Sequence, residues 1–86
     1  VHREFLVEDA EVQRMIRQIV VTHSDIRSVS RVVTYLSEKR RYINIDCSFD
    51  KGVSVEAMHD TVSHIEREIK RRFKEAIVTI HAEPAP

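Results

Sequence analysis

Three side chains in the last third of the 86-residue sequence carry metal-ligand chemistry: His59, and the pair His81 and Glu83 within Ile80-His81-Ala82-Glu83-Pro84. Imidazole nitrogen and carboxylate oxygen are donors that zinc accepts, and manganese and ferrous iron accept them as well. Residues two apart on a strand project to one face, so at ~3.3 Å rise per residue the Cβ atoms of His81 and Glu83 lie roughly 7 Å apart, within reach of one ion. Asp46 joins them if its strand lies alongside. In Tyr42-Ile43-Asn44-Ile45-Asp46-Cys47-Ser48-Phe49 apolar and polar residues alternate strictly, the pattern of a half-buried strand. With Ile43, Ile45, Cys47 and Phe49 facing the core, Asn44, Asp46 and Ser48 must take the open side. In the final segment Val78 and Ile80 turn inward, and Thr79, His81 and Glu83 outward. Asp46, His81 and Glu83 therefore share a surface, and two carboxylates with an imidazole and water suit a divalent cation. The competing reading is that they are ordinary solvated residues on an exposed sheet face.

The elements that position these groups follow from the hydrophobic pattern. Val12, Ile16, Ile19 and Val20 recur at helical spacing between Glu8 and about His23, with Glu8, Asp9 and Glu11 in the first turn where the helix dipole favours them. A turn at His23-Ser24-Asp25 leads into Ile26 to about Ser37, rich in the Val, Thr and Tyr that suit a strand. The polar reversal Glu38-Lys39-Arg40-Arg41 precedes the alternating strand. Asp50-Lys51-Gly52 breaks that strand, and Ser54 caps a helix reaching about Phe73, with Val55, Met58, Val62, Ile65, Ile69 and Phe73 on one stripe. A short strand from Ala76 to Glu83 is ended by Pro84. The expected fold is a two-layer α/β (α+β) sandwich of order α-β-β-α-β. A right-handed crossover makes its last two strands parallel and sets both helices on one face of a three-stranded mixed sheet. Residues 1–7 read as a linker, 8–84 as one domain and 85–86 as a tail.

His59 stands on the flank of the helical stripe, beside Met58, where a lone histidine is more often packed or hydrogen-bonded than ligating. Its helix covers the opposite sheet face from Asp46, so it can join His81 only around the sheet edge or from a second subunit. His2, His23 and His64 have no matching partner in strand or helix register. Cys47 reads as a small buried hydrophobe.

Composition narrows the classes. Fourteen basic and fourteen acidic residues cancel, which removes the net positive field that drives nucleic-acid binding. One cysteine excludes an internal disulfide, so a core this small calls for a partner subunit or a metal. No apolar run approaches the ~20 residues of a membrane-spanning helix. A single glycine and no serine or cysteine paired with histidine leave neither a phosphate-cradling loop nor a nucleophile, so no enzyme is expected. The basic run Lys70-Arg71-Arg72-Phe73-Lys74 reads as a solvated helix end.

The stretches Val53-Ser54-Val55-Glu56-Ala57-Met58-His59-Asp60, Ile65 to Phe73 and Val78-Thr79-Ile80-His81-Ala82-Glu83-Pro84 resemble the cytoplasmic C-terminal domain of cation diffusion facilitator transporters. Ser24-Asp25-Ile26-Arg27-Ser28-Val29 and Tyr42 to Asp46 extend the resemblance over nearly the whole chain. It implies a metallochaperone-like, ferredoxin-like α-β-β-α-β fold, a homodimer, and divalent metal, zinc foremost, bound at the interface to tune transport by a separate membrane domain. His59 falls on the family's helix histidine, His81 on its terminal-strand histidine, and Glu83 on a carboxylate that is Asp in zinc members. Asp46 falls where some members place a histidine. Ser30 replaces a first-strand histidine and is a poor ligand, and Asn44 replaces an aspartate of other members, so the resemblance implies fewer ions, weaker binding or a harder metal than zinc. The expectation is a cytosolic dimerisation and metal-sensing domain with His59, His81, Glu83 and Asp46 as ligands. The alternatives are a dimerisation module of this fold without a metal site, or a small-molecule-sensing α/β domain.

Overall fold

The structure, a computed structural model, describes residues 5–6 and 10–86. Along the chain run β1 (Phe5–Leu6), α1 (Ala10–Val21), β2 (Ile26–Ser37), β3 (Arg40–Phe49), α2 (Val55–Arg72) and β4 (Ile77–Pro84). The strands form one sheet in the order β1-β2-β3-β4, with β3 antiparallel to β2 and parallel to β4. Three strands and two helices were expected, and all five are present. The structure adds β1, two residues of the expected linker that pair antiparallel with Leu36 and Tyr35. The acidic first turn expected at Glu8 and Asp9 lies outside the described residues.

The alternation in β3 is realised: Ile43, Ile45 and Phe49 are fully buried and Cys47 nearly so. They pack against Ile16, Ile19 and Val20 of α1 and Ile65 and Ile69 of α2 in one apolar cluster, so both helices lie on the same face of the sheet. Fully burying such aliphatic side chains contributes about 1.5–3 kcal/mol each. Ser54 caps α2, its Oγ accepting from the Ala57 N–H at 3.1 Å. The expected stripe on α2 holds from Met58 to Phe73. Val55, in the first helical turn, instead faces solvent and is 82% exposed.

Two devices shape β2. Its register with β3 slips twice, between Ile26 and Ser28 and between Val29 and Arg31. Each bulge places two residues opposite one and alters which side chains reach the open face. α1 also tends the strand's backbone: Gln13 Nε2 donates to the Val32 carbonyl and Arg17 Nη1 to the Val29 carbonyl, both at 3.1 Å. Strand edges left bare are sites of unwanted pairing, and such side-chain donors blunt them. At the other end of β4, Ala85 donates its N–H to the Phe49 carbonyl at 2.8 Å and is buried.

Candidate functional site

Register sets the open face rung by rung. Asp46 on the central β3 has Arg31 of β2 and His81 of β4 as its Cα partners; one rung on, Ser48 has Ser28 and Glu83. Neighbouring strands lie ~4.8 Å apart, so each rung gathers its three side chains over a short span. Together with Ser30, Asn44 and Thr79 these residues line a concavity of about 580 Å³ on the side of the sheet away from the helices. His81 and Glu83 are exposed and Asp46 half-buried. Asp46, His81 and Glu83 are thus brought to one surface.

Around them the serines are already engaged. Ser28 and Ser48 share a hydrogen bond between their hydroxyls at 2.6 Å. Ser30, the extra residue of the second bulge, donates its hydroxyl to the Asp46 carbonyl at 3.1 Å. That bond ties Ser30 to the strand it faces. Cys47, behind Asp46, is 4% exposed, and its thiol is pushed above its ordinary value, first by burial and then by the neighbouring Asp46 charge. A neutral buried thiol packs as an apolar group and is no ligand for this surface.

His59 does not join the set within the chain. It lies in the second turn of α2, lining a shallow depression with Val55, Glu56 and Asp60. α2 covers the far face of the sheet, yet its start, reached from the end of β3, lies at the same end of the molecule as the close of β4. His59 and the pair His81 and Glu83 therefore flank one end from opposite faces. Among the described residues no three His, Cys, Asp or Glu side chains converge closely enough to hold an ion. The open-face donors fit a divalent cation in kind but do not converge within one chain, and Arg31 adds a positive charge to the same rung.

Sequence reasoning left Arg31 and three helix-side residues out. His23 Nε2 meets Glu68 Oε1 at 2.9 Å, and His64 Nε2 stands 3.4 Å from the same oxygen. The two imidazoles meet edge-on with centroids 5.3 Å apart. Both histidines were expected to lack partners. The four-residue spacing of His64 and Glu68 along α2 was a usable signal. His23 arrives only through packing of the turn after α1, where Thr22 Oγ1 donates to the Ile19 carbonyl at 2.7 Å. The 2.9 Å separation is that of a hydrogen bond with a proton between the two atoms, so this cluster clasps α1 to α2.

A family model described as the cytoplasmic domain of cation efflux proteins matches residues 8–85. Solved structures similar to the chain include the cytosolic domain of a cation diffusion facilitator family protein, at 23% identity and TM-score 0.78 over 88% of this chain and 92% of that one. CzrB matches at 23% identity and TM-score 0.79 over 93% and 99% of the two chains. The metal-bound C-terminal domain of the CzcD transporter from Thermotoga maritima matches at 23% identity and TM-score 0.75 over 91% and 94%. Such likenesses show the fold. No match was found among curated protein sequences. The family match over nearly the whole length, on a fold shared with these domains, places the chain in its family: it is a cytoplasmic domain of the cation efflux proteins.

Proposed function

We propose that this domain dimerises and senses a divalent cation, and that bound metal closes the dimer to tune transport by the membrane part of a cation efflux protein. The observation that carries the reading is the gathering of Asp46, His81 and Glu83 over one polar concavity while His59 stands at the same end on the other face. A donor set incomplete in one chain becomes sufficient when a second copy supplies the missing ligand. We assign His59, His81, Glu83 and Asp46 as the ligands, with zinc the foremost ion and manganese or ferrous iron acceptable to the oxygen donors. Similar domains support this: CzrB has a zinc form and the Thermotoga maritima CzcD domain is metal-bound. The exposed Val55 beside His59 offers an apolar contact for a second copy. Metal at the interface would neutralise facing carboxylates and favour the closed arrangement in proportion to its differential affinity for it.

The test pairs sedimentation with calorimetry. Zinc should bind and shift the population toward dimer, and His81→Ala and His59→Ala should each weaken binding by tenfold or more, while His64→Ala should not. A dimer that forms without binding any divalent ion would leave only the dimerisation role.

A further inference from the structure

From the topology we infer a second surface, at the end of the domain opposite the ligands: a basic patch that docks on anionic lipid headgroups. Two runs far apart in sequence form it. The hairpin between β2 and β3 carries Lys39, Arg40 and Arg41. The end of α2 and the turn after it carry Lys70, Arg71, Arg72 and Lys74. Parallel pairing of β3 and β4, with Tyr42 opposite Ile77, forces both runs to one end, and the Arg41 guanidinium carbon sits 5.4 Å from the centre of the Phe73 ring. Except for half-buried Arg41, all seven are exposed.

The dipole at the end of α2 accounts for cations there. It does not account for three more on a strand hairpin. Against the seven stand Glu38 and Glu75, with Glu66 held by Lys70 at 3.4 Å and Glu11 lining the groove that Arg72 borders. Arg41, half-buried against the Phe73 ring, ties the hairpin to the end of α2 and so holds the two basic runs together. In a chain of zero net charge this end is positive, while the far end sets Asp25, Asp50, Glu56 and Asp60 against Arg27 and Lys51. β1 pairs with Tyr35 and Leu36 beside the same hairpin, so the chain enters the domain at the basic end.

A lipid surface is the anion that suits this arrangement. It presents many phosphates and carboxylates in a plane, and each nearby Lys or Arg adds to attraction that fades within a Debye length. The inference rests on the reading of the domain as part of a membrane transporter, but its test does not need metal. The 86-residue chain is incubated with phosphatidylserine–phosphatidylcholine vesicles and with phosphatidylcholine vesicles, and the bound fraction is measured by flotation. Binding to the anionic vesicles alone is expected, falling with salt, and weakening on the order of a hundredfold in Arg40→Gln/Arg71→Gln/Lys74→Gln. Lys51→Gln, at the opposite end, should bind as the parent does. Circular dichroism on the same variants should show that the fold persists. Equal binding to neutral vesicles, no binding, an unaffected triple variant, or release by millimolar inorganic phosphate would overturn the inference while leaving the metal reading intact.

Discussion

At the scale of single residues, the candidate metal surface is set by what stands beside each donor. Asp46 lies between His81 on one strand and Arg31 on the other, so the carboxylate that would attract a cation already has a cation on its rung. Two like-signed charges separated by a few ångströms at a solvated surface oppose each other by about 1 kcal/mol or more, and a divalent ion doubles the effect. Arg31→Ser should therefore tighten zinc or manganese binding by about tenfold in calorimetry. An unchanged or weaker affinity would show that Arg31 does not oppose the ion. Alternation alone located Asp46, His81 and Glu83 on one face because β3 and β4 pair without a slip. Arg31 was not legible in the same way. The bulge between Val29 and Arg31 changes the phase of β2, and no residue type in Ser28-Val29-Ser30-Arg31 marks it.

At the scale of elements, both helices, the three long strands and the Ser54 cap were legible because burial there follows a period and a cap has a residue signature. The hairpin between β2 and β3 was legible only as a polar reversal. Ser37 pairs with Arg40, so the loop holds just Glu38 and Lys39, both at positive φ of 50° and 67°. A two-residue loop of this kind favours Asn-Gly, since a side chain with Cβ pays about 1–2 kcal/mol in the left-handed region. Glu38 and Lys39 do not announce it, and the strand accordingly begins two residues before the alternation suggested. Replacing Glu38→Asn and Lys39→Gly should raise stability by about 1 kcal/mol, part of the relief being offset by the flexibility glycine adds to the unfolded chain. For a domain of this length that is a rise in Tm of roughly 4 to 8 °C by calorimetry. A fall in Tm would show that the present side chains hold the turn by contacts that outweigh their backbone strain.

At the scale of the whole molecule, the fold separates its side chains by position: one end and the open face gather carboxylates and imidazoles, and the other end gathers guanidinium and ammonium groups. A chain this short has little stability in reserve, about 0.05–0.15 kcal/mol per residue, so a ligand that binds only the folded dimer registers strongly in the unfolding equilibrium. Zinc held at a hundredfold excess over its dissociation constant would stabilise by about 2.7 kcal/mol. At roughly 4 to 8 °C per kcal/mol this is a shift in Tm of ten degrees or more. On the proposed arrangement, with the ion shared by two copies, the shift should also grow with protein concentration at fixed free metal, which a site confined to one chain would not produce. Acid adds a second discriminator. Ligating imidazoles must be unprotonated, so protons compete with metal, and the gain at neutral pH should shrink as the solution is made acidic. Scanning calorimetry at several protein concentrations, with and without zinc, in neutral and acidic buffer, reads all three effects at once. A metal-induced shift that is independent of protein concentration would place the site within one chain. One that persists undiminished in acid would remove His59 and His81 from the ligand set and leave the carboxylates of Asp46 and Glu83 to hold the ion by themselves.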